Sequence, residues 1–343
     1  MKFDIVVGNP PYQDENIGSN NQALPIYNYF YDFAERIAQE YILISPARFL
    51  SNQGATPKNW NKKMLTDKHI KIMYFNAKSN AVFLNVDIKG GVAILYRNQD
   101  KDFGAIETFI PFEKLQIVYD KVKETSNKNL DSLVYSPDSY RFTNELFIEH
   151  PELLGRTDKS HAKAISSSVF TRYPEVFTEE IPDTEEDYIQ IYGRLSNERI
   201  YRWIKRKYIS SHSNLDKWKV ILPGANGTGS FGEVISTPVL GNPKLGHNQT
   251  FVSLGAFDTK YEGESLLKYI KTKFARAMLG IMKTTQNNQS KNTWSKIPLQ
   301  DFTKESDIDW SKAVSEIDQQ LYVKYGLSQS EISFIEDTVK TME

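Results

Sequence analysis

The chain has 343 residues, of which 40% are hydrophobic and 25% are charged, and it contains no cysteine. This composition is typical of a globular protein with room for two domains, and the lack of cysteine excludes disulfides, thiolate catalysis and cysteine-ligated zinc. The formal net charge of −1 gives no global sign of a polyanion-binding protein, and no apolar run is long enough to span a membrane. We expect a cytosolic protein.

The first third of the chain predicts an α/β pattern. Short apolar runs indicate buried strands at 3–7, 41–44, 70–75 and 91–96. Periodic apolar residues and local composition indicate helices at 26–41, 58–68 and 113–125. A sheet of four strands with crossover helices leaves one edge open. We therefore expect a missing N-terminal half or a partner subunit to close that edge.

The segment Gly8-Asn9-Pro10-Pro11-Tyr12 follows the first predicted strand directly. Ligands bind at the carboxyl ends of strands in open α/β sheets, and the two prolines stiffen the loop and remove two N–H donors. The Asn9 side-chain oxygen and the Pro10 carbonyl can accept the two hydrogens of an aromatic amine, while Tyr12 can stack on its ring. Catalysis would then rest on positioning and electrostatics. If the amine belongs to a nucleic-acid base, that base must leave its duplex to reach the loop. The alternative is an ordinary turn without chemistry.

Residues 6–12 resemble the catalytic motif of amino-methyltransferases that use S-adenosylmethionine, in which Asn9, Pro10, Pro11 and Tyr12 are the matching positions. Residues 43–50 and 82–92 are similar to further segments of the adenine methylases of type IIG and related restriction–modification systems. In that family an aromatic residue packs against the flipped base, and Phe83 is the matching position. Three C-terminal segments are similar to the recognition region of these enzymes, namely 271–274, 308–311 and 321–325.

The resemblance implies a partial Rossmann-like sheet followed by an α+β target-recognition domain with a helical C-terminal tail. We assign 1–125 to the catalytic half of the methyltransferase domain, 126–186 to a polar linker broken by prolines, and 187–343 to target recognition. In the last region we predict a basic helix at 196–207 and strands at 218–222, 232–239 and 249–254. Further helices are predicted at 265–281, 309–325 and 328–342.

The family carries a glycine-rich cofactor loop upstream of the catalytic motif, whereas only eight residues precede Asn9 here. We expect that loop to come from a missing N-terminal half or from an upstream methyltransferase or nuclease subunit. The segment 227–232 fits the pattern GxGxxG, but the sequence after it is β-like and ends in proline, where a cofactor loop requires a helix. We interpret it as a mobile hairpin loop that could touch DNA.

Two basic segments, 199–208 and 283–296, are candidates for contacting DNA because cations alternate there with aromatic and amide side chains. The alternatives are a helix face that is solvated or packs its aromatics inward, and a polar loop without a ligand. The candidate DNA-binding residues are Arg199, Arg202, Lys205, Arg206, Lys283, Lys291, Trp294 and Lys296. The five histidines lack metal-ligand spacing, so we predict no metal site.

The leading hypothesis is a site-specific DNA adenine methyltransferase of a restriction–modification system. It would transfer a methyl group from S-adenosylmethionine to the 6-amino group of a flipped adenine in duplex DNA. A second hypothesis is a catalytically incomplete DNA-specificity fragment or subunit that needs an upstream cofactor-binding partner. A third is a methyltransferase for a glutamine side chain or for RNA, because those classes share the Asn-Pro-Pro-Tyr loop, but the separated basic segments disfavour it.

Overall fold

The chain folds as two compact units, Met1–Gln116 and Ile117–Glu343. The computed structural model describes residues 3–14, 24–52, 54–84, 88–158, 161–283 and 285–342. Both units contain helices and strands, and the named strands form three sheets, so the protein is of mixed α/β class. None of the helices in these ranges is both long and apolar enough to cross a membrane.

The first unit is built on a four-stranded sheet. Its elements are β1 (Phe3–Gly8), α1 (Tyr27–Ile37), β2 (Ala38–Pro46), α2 (Lys58–Thr66), β3 (Ile70–Asn76), β4 (Val92–Asn98) and the start of α3 (Glu113–Thr125). The strand order is β1-β2-β4-β3, in which β1 runs parallel to β2, and β4 is antiparallel to β2 and β3. The helix α1 is therefore the crossover between the two parallel strands.

The predicted helix 26–41 is too long at its carboxyl end. The helix α1 ends at Ile37, and Ala38 is already extended, with φ −134° and ψ 157°. The apolar spacing misleads because Tyr41 continues the helical period yet belongs to β2, where it packs with its ring centroid 5.5 Å from that of Tyr31. Pairing of β2 with strands on both sides requires an extended chain from Ala38 onward.

An aromatic core holds the first unit together. The rings of Phe49 and Trp60 lie 5.1 Å apart between centroids, and Tyr31 lies 5.8 Å from Trp60. These side chains pack with Leu43 and Leu95 of the sheet into one buried cluster. Burial of several large rings provides most of the apolar stabilisation of the unit and fixes the positions of α1 and α2.

The strand β1 is an edge strand, and its outer side has no partner among the described residues. Alternate residues of β1 are exposed, with Phe3 at 51%, Ile5 at 44% and Val7 at 67%. Parallel strands are normally buried on both faces, so a row of exposed apolar side chains here is unusual. The open edge expected from the sequence therefore lies at β1.

The second unit contains the other two sheets and most of the helices. Its strands are β5 (Val134–Tyr135), β6 (Tyr188–Leu195), β7 (Glu198–Lys205), β8 (Trp218–Pro223), β9 (Val239–Gly241), β10 (Leu245–His247) and β11 (Phe251–Phe257). One sheet has the order β10-β6-β7 and the other β5-β11-β8-β9, and only the β10–β6 pair is parallel.

The helices of this unit are α4 (Asn144–Glu149), α5 (Val169–Arg172), α6 (Lys260–Lys271), α7 (Lys273–Met282), α8 (Lys291–Trp294), α9 (Val314–Lys324) and α10 (Gln329–Thr338). Single 3-10 turns in the two units are Arg48–Ser51, Ser79–Ala81, Leu130–Leu133, Pro151–Leu153, Pro174–Val176 and Arg206–Tyr208. The predicted helix 265–281 is divided between two helices, α6 and α7, because the backbone of Thr272 is not helical (ψ 149°). The Thr272 hydroxyl accepts a hydrogen bond from the N–H of Ala275 and thereby caps the start of α7.

Residues 126–186, which were predicted to be a linker, are folded. Phe142, Leu146 and Val169 pack with Ile189 and Ile204 of the sheet in one buried cluster. The prolines that suggested a linker serve other purposes. Pro151 and Pro174 stand at the first position of short 3-10 turns, where a missing N–H costs nothing.

Two other predictions for this unit are wrong. The segment 196–207, predicted as a basic helix, is strand β7 in a hairpin with β6, and eight residue pairs join the two strands from Tyr188↔Lys205 to Leu195↔Glu198. β-Branched and aromatic residues favour this strand, and Ser196-Asn197 supplies a two-residue turn. Conversely, 232–239 is not a strand, since β9 begins only at Val239.

A buried polar network lies between the sheets of the second unit. The Tyr140 hydroxyl donates to Asn214 Oδ1 (2.8 Å), and Asn214 Nδ2 donates to Ser253 Oγ (3.0 Å). His247 is fully buried, with Nε2 3.1 Å from Ser253 Oγ and Nδ1 3.0 Å from the Asn248 carbonyl. Burial lowers the pKa of His247 from 6.5 to about 4, so the neutral ring is the folded form.

This depressed pKa predicts a stability that depends on pH. The unfolded chain binds a proton near pH 6.5 and the folded chain only near pH 4, so stability is complete above pH 6.5 and falls between pH 6.5 and 4. The loss should reach about 3 kcal/mol at the acid end. Denaturant unfolding at several pH values measures it, and a His247→Gln variant should lose this part of the pH dependence. If the free energy of unfolding of the variant still falls between pH 6.5 and 4, groups other than His247 cause the pH dependence.

Candidate functional site

The loop Asn9–Tyr12 lies at the carboxyl end of the sheet. The parallel register of β1 and β2 runs to Gly8↔Leu43, so the chain leaves β1 at Asn9, three residues before β2 ends at Pro46. Asn9 and Pro11 are exposed, Pro10 is buried and Tyr12 is half-buried. In the described part of the chain the Asn9 side chain has no hydrogen-bond partner. Its amide oxygen is therefore free to accept from a ligand.

Backbone contacts hold this loop against the start of α1. The Tyr12 carbonyl accepts from the N–H of Ile26 (3.2 Å), and the Asp14 N–H donates to the Leu24 carbonyl (2.9 Å). Both bonds tie the carboxyl side of the loop to residues that lie just before α1. The loop is consequently a fixed corner, in agreement with the stiffness expected from its two prolines.

The aromatic residues predicted to contact a base lie side by side. The Tyr12 and Phe83 rings are 6.5 Å apart between centroids, with an angle of 62° between their planes. Phe83 is half-buried in the turn after Ser79–Ala81, where its N–H donates to the Ser79 carbonyl (2.8 Å). The structure thus brings together Tyr12 and Phe83, which are 71 positions apart in the chain.

The Tyr12 hydroxyl is buried without a hydrogen-bond partner among the described residues. Burial raises the pKa of this phenol above its ordinary value. The neighbouring Tyr31 differs, because its hydroxyl lies 2.9 Å from Ser45 Oγ at the end of β2. A buried hydroxyl without a partner costs about 1–3 kcal/mol, so Tyr12 is placed at some expense in stability.

Sequence reasoning did not single out Arg48 as a site residue, although it lies within the segment 43–50. Its Nε is buried without a partner among the described residues, and a Cβ on Gly90 would lie 2.5 Å from its Cγ. Gly91 has a positive φ of +77°, and its carbonyl accepts a hydrogen bond from the Ala47 N–H (2.9 Å). A Cβ at position 91 would lie only 2.2 Å from the Asn76 carbonyl oxygen. The two glycines are therefore required by close packing beside the loop.

Most cations of the predicted DNA-binding helix are neutralised by carboxylates. Arg202 pairs with Glu179 (2.6 Å), and Lys205 pairs with Glu186 (2.5 Å). Arg206 pairs with Asp216 at 2.5 Å. Among the four candidates from this segment, Arg199 differs, since its guanidinium donates to the Thr237 carbonyl (3.0 Å).

Two further DNA candidates are interior residues, contrary to prediction. Trp294 is fully buried, and its indole N–H donates to the Asn288 carbonyl (2.8 Å). Lys283 is buried and forms an ion pair with Glu233. Lys296 donates to the Tyr119 hydroxyl (2.9 Å), whereas Lys291 is exposed at the start of α8. Of these four residues, Lys291 keeps the accessibility that DNA contact requires.

The glycine-rich segment 227–232 is a loop, and Glu233 occupies two of its N–H groups. Glu233 accepts from the backbone N–H of Thr228 (2.8 Å) and of Gly229 (3.1 Å). Burial opposes ionisation of Glu233, but the bonds from Lys283 and the loop outweigh it and lower the pKa of this carboxyl. No helix follows, so the expectation that this is not a cofactor loop agrees with the structure.

No group of three or more histidine, cysteine or acidic residues that could hold a metal ion occurs within the described ranges. The groups that the loop and its neighbour Phe83 present are amide and carbonyl oxygens and two aromatic rings. Such groups bind and orient a polar aromatic ligand by hydrogen bonding and stacking.

The unpaired Tyr12 hydroxyl predicts opposite effects of two conservative substitutions. Tyr12→Phe removes a buried hydroxyl that bonds to no described residue, and should leave the free energy of unfolding unchanged or raise it by about 1 kcal/mol. Tyr31→Phe removes a hydroxyl bonded to Ser45 and should lower that free energy by about 1–2 kcal/mol. Urea unfolding of both variants measures the difference. A loss of stability in Tyr12→Phe would show that its hydroxyl is satisfied.

Comparisons with known proteins agree with the geometry of the first unit. Residues 1–83 match the family described as Eco57I restriction-modification methylase. An uncharacterized adenine-specific methylase of Mycoplasma pneumoniae (strain ATCC 29342 / M129 / Subtype 1) is 35% identical over 95 residues. These residues are 27% of this chain and 22% of that relative, so the match spans about a fifth of the relative's length.

Two solved structures resemble the chain more remotely. The type IIG restriction endonuclease BpuSI is 11% identical with a TM-score of 0.34, covering 92% of this chain and 48% of that one. The type IIL restriction-modification enzyme MmeI, solved in complex with DNA, is 11% identical with a TM-score of 0.43. The match covers 98% of this chain and 56% of the MmeI chain. The chain thus spans about half the length of each. The expected resemblance to restriction–modification methylases is confirmed by the sequence match over residues 1–83, the segment that carries the loop.

Proposed function

We propose that the chain carries the amine-binding loop and the target-recognition region of a site-specific DNA adenine methyltransferase of a restriction–modification system. Its substrate would be the 6-amino group of an adenine flipped out of duplex DNA, and its methyl donor S-adenosylmethionine. The observation that supports this most is Asn9, which is exposed at the end of a strand and has no hydrogen-bond partner among the described residues. It lies close in the chain to Tyr12 of the Tyr12–Phe83 pair, in a segment that matches restriction-modification methylases.

The loop solves the main chemical difficulty of this reaction. The lone pair of an exocyclic amine is delocalised into the ring, so the amine is a poor nucleophile. Asn9 Oδ1 and the Pro10 carbonyl each accept one amine hydrogen, which holds the nitrogen in place and favours the pyramidal geometry with a localised lone pair. A cofactor held by another segment would supply the methyl group, whose bond to sulfur breaks as the bond to nitrogen forms, and the proton lost by the amine would pass to solvent. Positioning and fixed dipoles therefore carry the catalysis.

Tyr12 and Phe83 hold the base. Their planes are 62° apart, so both rings cannot stack face to face on the same purine. One ring stacks on the base, and the other supports its edge. The stacking offsets part of the energy needed to unpair and unstack the adenine.

The described residues do not provide a loop that fits S-adenosylmethionine. The one glycine-rich candidate binds Glu233 instead, and it precedes no helix. We infer that another polypeptide segment supplies the cofactor site and pairs with the open edge of β1. The exposed Phe3, Ile5 and Val7 support this pairing, because a neighbouring layer would remove their apolar surface from water.

The same open edge favours a second candidate function, a DNA-specificity fragment or subunit that is catalytically incomplete alone. Calorimetric titration of the isolated chain with S-adenosylmethionine distinguishes the two possibilities. Tight binding would exclude the incomplete fragment. Absence of binding, restored by a partner that carries a glycine-rich cofactor loop, would establish it.

The amine-binding role of Asn9 predicts a loss of methyl transfer without a loss of folding. Asn9→Ala should reduce the rate by about a hundred- to a thousandfold, since one preorganised polar contact to the reacting group is removed. Transfer of labelled methyl to unmethylated duplex DNA measures the rate, with the cofactor-binding partner added where the chain needs it. Asn144→Ala, which changes an exposed asparagine of the second unit, is the matched control.

Substrate classes are compared in the same assay. Duplex DNA should be methylated at adenine, and RNA or a glutamine-containing protein should not. Tyr12→Phe should retain most of the activity because the ring is kept, whereas Tyr12→Ala should lose it. Full activity of Asn9→Ala, or methylation of RNA or protein in preference to DNA, would refute the proposed function.

A further inference from the structure

The hairpin of β6 and β7 ends in a short, well-defined tip. The pair Leu195↔Glu198 closes it, and the two residues between them both have positive φ, 49° for Ser196 and 67° for Asn197. Positive φ at both central residues is the signature of a type I′ turn, whose twist matches that of a two-stranded ribbon. The tip is therefore a narrow β-ribbon, and a ribbon of this width enters the major groove of B-form DNA.

Cations are distributed along this ribbon in two groups. Near its base Arg202 and Lys205 are held by Glu179 and Glu186. Lys207, just beyond β7, is held by Glu149 at 2.6 Å. The positive charge at this end is therefore cancelled by acidic residues from other segments, and little of it remains for a polyanion.

The cations at the tip have only neutral partners. Arg194 is exposed, and its Nη2 donates to the Asn197 carbonyl (3.0 Å). Arg199 donates to the Thr237 carbonyl (3.0 Å) and lies near Ser236 Oγ (3.4 Å). Neither guanidinium forms an ion pair with a carboxylate within the described ranges. The nearest acidic residue in the ribbon is Glu198, which is exposed and leaves the tip with a net positive charge.

Packing orients the arginine on β7. The Arg199 guanidinium lies 5.9 Å from the centroid of the Phe251 ring, which in turn packs 4.4 Å from that of Tyr192. Tyr201 stacks on Tyr192 at 4.8 Å and is 42% exposed. A stack of rings therefore supports a partly exposed arginine and an exposed tyrosine next to the turn. Such a preorganised side chain loses little conformational freedom on binding.

We propose that the tip of this hairpin, residues 194–199, is the element that enters a groove of duplex DNA. Arg194 and Arg199 contact DNA as cations, and the exposed side chains of Ser196 and Asn197 have donors and acceptors that suit base edges. The base of the ribbon makes no DNA contact. This inference rests on the proposed function, since it names the surface through which a DNA methyltransferase recognises its substrate.

Paired charge removals test the tip. Arg194→Gln with Arg199→Gln removes two positive charges from the tip, and Arg202→Gln with Lys205→Gln removes two from the base of the same ribbon. Fluorescence anisotropy of a labelled random-sequence duplex, titrated with the full chain at several salt concentrations, measures affinity. The tip variant should bind at least about tenfold more weakly, and the slope of log K against log salt should fall by about 1–2. The base variant should keep the wild-type slope.

The outcomes separate this inference from the proposed function. Absence of binding by the wild-type chain at low salt would refute DNA recognition by the second unit and the inference with it. Wild-type binding that both variants weaken equally, or that the tip variant leaves unchanged, would overturn the inference alone. Circular dichroism confirms that each variant is folded, and Arg194→Gln alone, at an exposed position, should show about half of the change in slope.

Discussion

The parallel pairing of β1 with β2 is the constraint on which the candidate site depends. Parallel strands direct their carboxyl ends to the same edge of a sheet, so Asn9 after β1 and Arg48 after β2 come from neighbouring strand ends. Parallel pairing also requires a crossover, and α1 supplies it. The start of α1 in turn fixes the loop, through the bond from Ile26 to the Tyr12 carbonyl.

The strand that presents the loop is also an edge strand of its sheet. An edge position leaves Asn9 accessible, but it leaves Phe3 and Val7 exposed as well. Exposed apolar residues and unpaired backbone groups favour association with a further strand or layer. The accessibility of the candidate loop and the open edge of β1 therefore have the same structural origin. This is why one feature supports both the proposed enzyme and the proposed fragment.

In the second unit, the function of a cation is decided by what lies next to it. Arg199 and Arg202 are three residues apart on one strand and look alike in the sequence. Glu179, which comes from a distant segment, neutralises Arg202, whereas the partners of Arg199 among the described residues are uncharged: a backbone carbonyl, a hydroxyl and the Phe251 ring. Ion pairs thus neutralise the cations at the base of the hairpin, so that positive charge without a carboxylate partner remains only at its tip, among the described residues of the hairpin.

The sequence by itself determined the strand–loop order of the first unit and the stiff corner at Asn9–Tyr12, whereas Phe83 was named only through the family resemblance. These features follow from local rules, because apolar runs, prolines and turns act over a few residues. Tertiary structure alone decided that 196–207 is a strand and that Trp294 and Lys283 are buried. Those outcomes depend on partners far away in the chain, such as β6 for the strand and Glu233 for Lys283, and residue order does not specify which distant groups meet.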